Sequence, residues 1–198
     1  MSEDMFKINS DVEEGAPSKY ILIDKEEDFI QEGVFIKSLE LGEDNRYYTI
    51  IAEKNGQEIQ TQRQYFPEKE RSASEESYKK AFSIKLGLLA NFTRKFLGED
   101  AEIQASGWVE LVKKTQEACK DLYMTTPLRV KLEIVENKGK YYSNISTFGP
   151  FELMSVPKSE SKLQVTPKDR QMLKAKLMDE SVVPDKDPGE TKKDEEPF

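Results

Sequence analysis

Aromatic and basic side chains are interleaved along three stretches of the sequence, and this combination suits a single-stranded nucleic acid. Bases of any sequence stack on exposed rings, at about 1 to 3 kcal/mol per base, while Lys and Arg follow the phosphates. Because neighbouring tyrosines on a strand point to opposite faces, about half of these rings should be core instead. The predicted interface consists of Arg46, Tyr47, Tyr48, Arg63, Tyr65, Arg129, Lys131, Lys138, Lys140, Tyr141, Tyr142 and Phe148.

The most informative stretch is residues 127–151. Apolar and charged side chains alternate up to an Asn-Lys-Gly turn sequence at residues 137–139, and aromatic residues follow the turn. This pattern predicts two antiparallel strands around a tight turn. We expect one face of the first strand to be core and the other, with Arg129 and Lys131, to face a charged ligand.

The remaining elements suggest how this hairpin is positioned. Residues 33–42, 46–53 and 58–66 read as three strands, with Asn55-Gly56 as a hairpin turn. Two amphipathic helices follow, one opening at the capping-box pair Ser72 and Glu75 and closing at Gly98, the other over residues 106–123. This order is the connectivity of the OB-fold, a five-stranded Greek-key barrel.

We therefore predict a mainly β, α+β domain: an OB-like five-stranded barrel with two helices between strands 3 and 4. A plain α+β sheet with both helices on one side has the same element order. The domain should span residues 20–154, after a flexible acidic arm at residues 1–19. A linker at residues 155–178, with a short helix at residues 167–178, should lead to a disordered acidic tail at residues 179–198.

Charge is segregated along the chain. Residues 1–45 hold 4 basic and 13 acidic residues, whereas residues 46–150 hold 17 and 14. A mildly basic body between acidic ends can bind an anion and also compete with it. The acidic first third also supports an alternative, a protein-binding adaptor or nucleic-acid-mimicking inhibitor built on the same barrel.

Composition argues against several other classes. The chain has no histidine and a single cysteine, Cys119, so an internal disulfide, a usual zinc site and His-based catalysis are not expected. We predict no catalytic residue, metal or cofactor. The carboxylates Asp24, Glu26 and Asp28 leave a metal-dependent nuclease as a third reading, although a solvated turn explains them better. No apolar run could span a membrane and the first residues are acidic, so we expect a cytoplasmic protein without a membrane partner.

The C-terminus ends in Asp194, Glu195, Glu196, Pro197 and Phe198. This ending resembles that of bacterial single-stranded DNA-binding proteins, which combine an OB-fold, a flexible linker and an acidic tip ending in Pro-Phe. The resemblance implies that Phe198 enters an apolar pocket on a partner enzyme, that Pro197 limits the freedom of the chain, and that the acids add charge. Glu196 replaces the usual apolar residue, and two helices replace one, which suggests a divergent phage-type version.

The resemblance and the residue pattern together predict a non-enzymatic, sequence-independent single-stranded DNA-binding protein. It would protect single strands in DNA replication, recombination and repair, and recruit partner enzymes through its tip. The compartment would be the cytoplasm of a bacterial or phage-infected host cell. The sequence does not decide between DNA and RNA as the ligand, or between a monomer and a homo-oligomer.

Overall fold

The structure, a computed structural model, describes residues 20–181; the predicted arm and tip lie outside them. Within this range the chain forms seven strands and three α-helices. The strands are β1 (Ile30–Leu41), β2 (Tyr47–Lys54), β3 (Gln57–Gln60), β4 (Gln64–Tyr65), β5 (Leu128–Asn137), β6 (Lys140–Ile145) and β7 (Phe151–Leu153). The helices are α1 (Glu75–Leu97), α2 (Trp108–Cys119) and α3 (Pro167–Ser181).

The strands form a nearly closed antiparallel β-barrel, which with its three helices is compatible with an OB-like barrel. The main path runs β3-β2-β1-β5-β6, while β4 pairs with β2 and β7 pairs with β5. The first part of β1 pairs with β5 and the second with β2, and the register shifts between Gln31 and Val34. Gly33 lies in that shift at a φ of 68°, a conformation that favours glycine. A parallel bridge between Thr61 and Ile145 joins the two ends of the sheet.

The tight turns follow the sequence prediction. Asn55 and Gly56 have φ values of 53° and 80°, and Lys138 and Gly139 have 53° and 74°. Two successive positive φ values are what a two-residue turn between twisted antiparallel strands requires. Both predicted hairpins, β2–β3 and β5–β6, are therefore confirmed.

The predicted continuous strand over residues 58–66 is wrong, because it is split into β3 and β4. At the break the hydroxyl of Thr61 accepts a hydrogen bond from the Ile50 N–H at 3.1 Å, while the Thr61 N–H donates to the Ile50 carbonyl. A side-chain oxygen thus takes the place of a backbone acceptor, which interrupts the regular pairing.

Two helices lie between β4 and β5, as predicted, but α1 begins later than expected. Its N-cap is Ser74, whose hydroxyl accepts a hydrogen bond from the Ser77 N–H, while the Ser77 hydroxyl reaches back to the Ser74 N–H. The predicted cap Ser72 instead ends a 3₁₀ turn. The apolar stripes of both helices contribute buried side chains to the core: Leu88, Leu89 and Phe92 from α1, and Val112 and Cys119 from α2.

The predicted short C-terminal helix is present as α3, and it packs against the barrel. Its Leu173 belongs to the hydrophobic core, and Lys176 donates to the carbonyl of Ile23 at 2.9 Å. Helix α3 therefore lies against β5 and against the 3₁₀ turn Glu26–Phe29. None of the helices within residues 20–181 is both long and apolar enough to cross a bilayer.

Candidate nucleic-acid interface

Two tyrosines and an arginine form a cluster where β2 meets β4, in which Arg63 and Tyr65 are exposed and Tyr47 is half-buried. Tyr47 and Tyr65 are direct cross-strand partners, with ring centroids 5.1 Å apart and planes tilted by 51°. The guanidinium carbon of Arg63 lies 5.0 Å from the centroid of the Tyr47 ring, a cation–π distance. A hydrogen bond with Tyr65 helps to raise the pKa of Arg63. We call Tyr47, Arg63 and Tyr65 the tyrosine cluster.

Backbone geometry fixes the Tyr47 ring. A Cβ built on Gly42 would lie 2.3 Å from a Tyr47 ring atom, so the ring packs directly on the glycine backbone. Sequence reasoning missed this role of Gly42, although a glycine at the end of a strand was a signal. The neighbouring Tyr48 points the other way, is completely buried and donates its hydroxyl hydrogen to the Lys85 carbonyl at 2.9 Å. Tyr48 is therefore a core residue, and its predicted place in the interface is wrong.

The β5–β6 hairpin contributes a second group of predicted residues. Tyr142 is exposed, whereas Tyr141 is partly buried and packs against the core. Lys138 and Lys140 are exposed and have no ion-pair partner within residues 20–181. Phe148 lies in the loop between β6 and β7 and is also exposed. One tyrosine of this pair can thus meet a ligand without disturbing the core.

Arg46 is a cation with internal partners. Its guanidinium lies 3.9 Å from an Asp44 carboxylate oxygen and 3.6 Å from one of Glu68. These separations are long for a hydrogen bond, and the side chains are about half exposed. Arg46 could exchange these partners for a phosphate at modest cost.

Arg129 and Lys131 are not available to a ligand, so their predicted exposure is wrong. They lie on the outer face of β5, as alternation requires, yet they are only 3% and 9% exposed. Arg129 pairs with Glu152 and, at 3.0 Å, with Glu32. Lys131 donates to a carboxylate oxygen of Asp169 at 2.7 Å. The later part of the chain has covered this charged face with its own carboxylates.

The covering carboxylate Asp169 remains ionised. Burial alone would raise its pKa, but hydrogen bonds from the Lys131 ammonium and from the N–H and hydroxyl of Thr166 outweigh burial, so the pKa is lowered. Thr166 and Asp169 also form a reciprocal cap at the start of α3, since the Thr166 hydroxyl accepts from the Asp169 N–H. The Thr-x-x-Asp spacing was the sequence signal for this contact.

The three carboxylates considered for a metal are engaged in other contacts. Asp28 accepts hydrogen bonds from the N–H groups of Asp24 and Lys25, which closes a turn. Asp24 pairs with Lys176, and Glu26 pairs with Arg170 of α3. In the described part of the chain no group of three or more His, Cys, Asp or Glu side chains is placed to hold a metal ion.

Comparison with known proteins returned no family model, no curated protein and no solved structure that matches this chain.

Proposed function

We propose that this chain binds single-stranded DNA without sequence preference and protects it during replication or recombination. The tyrosine cluster is the observation that carries the proposal. OB-folds bind oligonucleotides on the face of strands 2 and 3 and with the loops between strands 1 and 2 and strands 4 and 5. If the barrel is an OB-fold with β5 and β6 as its fourth and fifth strands, the tyrosine cluster and Lys138 correspond to those two regions.

The mechanism combines stacking with phosphate neutralisation. Bases stack on the exposed ring of Tyr65, which Tyr47 and Arg63 hold in place, and Arg63, Lys138 and Lys140 meet phosphates. Three such contacts predict a salt slope of about −2 for a single strand, or roughly a 20-fold loss of affinity between 50 and 200 mM salt. This modest slope reflects the internal pairing of Arg129 and Lys131.

Recruitment is the second part of the proposed function, and it depends on the resemblance of residues 194–198 to the tips of bacterial single-stranded DNA-binding proteins. Those residues lie outside the described range. A terminal aromatic beside proline and acids gives a short peptide one anchor and an electrostatic attraction to a basic pocket. The expected partner is a replication or recombination enzyme.

The test is a fluorescence titration with single-stranded and duplex oligonucleotides at two salt concentrations. The full chain is compared with a version that ends at Ser181, which keeps every described residue. We expect a salt-sensitive preference for single strands that removal of the tail leaves unchanged or strengthens. Failure to bind single strands, or equal affinity for duplex, would overturn the proposal.

Variants connect that test to the tyrosine cluster. Losing one stacked base corresponds to a 5- to 150-fold weaker Kd, so replacing both Tyr47 and Tyr65 by Ala should weaken binding by at least about fivefold. Arg63→Gln should reduce the magnitude of the salt slope by about 0.7. Arg94→Gln is the matched control, because Arg94 is an exposed arginine in the last turn of α1 and lies outside the predicted interface. The control should change neither Kd nor slope.

A protein-binding adaptor or nucleic-acid mimic is the second candidate. It is favoured by one observation: carboxylates of the chain itself approach three of the six predicted phosphate-binding cations, namely Arg46, Arg129 and Lys131. An adaptor or mimic would bind neither single strands nor duplex in the same titration. That result would redirect the search to protein partners.

A further inference from the structure

A groove runs along the barrel where β3 and β6 approach each other. The Thr61–Ile145 bridge joins the two sides, and the segment of residues 20–23 occupies part of the remaining gap. In that segment the Ile21 N–H donates to the Glu58 carbonyl at 3.0 Å, and the Ile23 N–H donates to the Ser143 hydroxyl at 3.1 Å. A cavity of about 390 Å³ remains, which we call the seam groove.

The lining of the seam groove is apolar and accessible. Tyr20, Leu22 and Tyr142 are 57%, 49% and 48% exposed, and the side chain of Ile51 also lines the groove. Gln60 and Asn144 add amide groups. Exposed apolar side chains gathered in one concave site, with a few polar groups, are typical of ligand-binding grooves. Sequence analysis identified Tyr142 but missed Tyr20 and Leu22.

The seam groove continues the face that carries the tyrosine cluster. Tyr48, Ile50 and Ala52 point into the core, so Tyr47, Thr49 and Ile51 point outward along the same strand. Tyr47 and Ile51 are four positions apart on β2, which corresponds to a distance of about 13 Å along the strand. One extended ligand could therefore contact both the cluster and the groove.

Charges around the groove favour a ligand that inserts its ring and leaves its phosphate outside. Glu58 lines the groove and its charge is offset by Lys37, so this side offers no net positive charge to an anion. On the other side, Lys140 lies two residues before Tyr142 on the same face of β6, about 7 Å away. Lys140 has no ion-pair partner in the described ranges, and a phosphate beside it would be neutralised.

We propose that the seam groove holds one unpaired nucleobase of a bound strand, stacked against Tyr142, while neighbouring bases stack on the tyrosine cluster. The inference rests on the proposed function and extends it to a defined subsite. The cavity lies at the small end of the range for small-molecule sites, which suits one base better than a stacked pair. Gln60 and Asn144 can each donate and accept hydrogen bonds, so they tolerate different base edges.

The test pairs a protein variant with a modified oligonucleotide. Tyr142→Ala should weaken single-strand binding 5- to 150-fold, while Tyr142→Phe should keep most of the affinity. Tyr78→Ala on α1 is the matched control and should leave the Kd unchanged. An oligothymidylate with one abasic position, moved along a strand of minimal length, should lose affinity most at one position. Tyr142→Ala should be insensitive to that same substitution, as coupled partners are in a double-mutant cycle.

Photocrosslinking of the unmodified protein gives an independent result. An oligonucleotide with 5-iododeoxyuridine should crosslink to peptides that contain Tyr20 or Tyr142. Crosslinks confined to other peptides, or a Tyr142→Ala variant that folds and binds normally, would overturn the seam-groove inference. If the tyrosine-cluster variants still lose affinity in that case, the proposed function stands without this subsite. If the wild-type chain binds no single strand, both proposals fail.

Discussion

The buried ion pair between Lys131 and Asp169 is expected to hold the C-terminal segment on the barrel. Both side chains are almost completely buried, and Lys131 donates to the Gln164 carbonyl as well as to Asp169. Asp169→Asn removes the negative charge while an amide oxygen can still accept from the Thr166 N–H. The substitution therefore tests the charge of the pair with little change to the cap of α3.

The expected cost of Asp169→Asn is about 3 kcal/mol. Removing one partner of a buried pair costs about 3 to 5 kcal/mol because the other charge is left uncompensated. We place this pair at the lower end, since the Lys131 ammonium keeps its bond to the Gln164 carbonyl. For a chain of this size such a loss corresponds to a Tm lower by about 6 to 12 °C.

Urea unfolding followed by circular dichroism measures the loss. Glu75→Gln is the control, because Glu75 and Lys79 form an exposed pair on α1 that should contribute at most about 0.5 kcal/mol. Replacing the pair by Lys131→Met with Asp169→Asn should recover much of the stability, since no unpaired charge remains and the amide oxygen can still accept from the Thr166 N–H. A loss below about 1 kcal/mol for Asp169→Asn would refute a structural role for the pair. Weaker single-strand binding by the double variant at unchanged stability would show instead that Lys131 contacts the ligand.

Two further predictions concern titration. The pKa of Asp169 is lower in the folded chain than in the unfolded chain, where it is about 4. Its contribution to stability is therefore complete above about pH 4 and is lost as the pH falls through the pKa of the folded state. Acid should destabilise the wild type more steeply than Asp169→Asn. Unfolding curves between pH 2 and 6 check this, and parallel profiles would contradict it. Burial raises the pKa of the Cys119 thiol to about 11. At pH 8 a thiol reagent should therefore label Cys119 in urea but not in the native chain. Fast labelling of the native chain would contradict the buried position of Cys119.

Local patterns predicted the two hairpin turns and the longer strands of this fold, but not the short strand β7 or the split of the third predicted strand into β3 and β4. Asn55-Gly56 and Lys138-Gly139 adopt the two positive φ values that their residue types favour, and the flanking strands pair as expected. Such turns depend on a few neighbouring residues, so the sequence contains most of the information. The break at Thr61 was not predictable in the same way, because it depends on a hydroxyl bond to Ile50 across the sheet.

The alternation of residues along β5 could not predict whether its outer, charged face is exposed or covered. Alternation correctly placed Arg129 and Lys131 outside the barrel core, but it does not say what covers an outer face. Their partners Glu152 and Asp169 lie 23 and 38 residues further along the chain. An outward cation in the sequence is thus a candidate for a ligand or for a later carboxylate, and only the path of the chain distinguishes the two.

The position of the helices narrows where a ligand could bind. Helix α3 packs on β5, α2 packs on β1 and α1 packs on β7, while Tyr65 and Tyr142 are exposed on β4 and β6. The basic residues differ in the same way between covered and uncovered strands. Lys140 lies on β6 near the exposed Tyr142, whereas Lys131 on β5 is covered by α3. On β6, an exposed ring and a cation without an ion-pair partner in the described part of the chain therefore lie on the same strand, and the proposed stacking with phosphate neutralisation uses both.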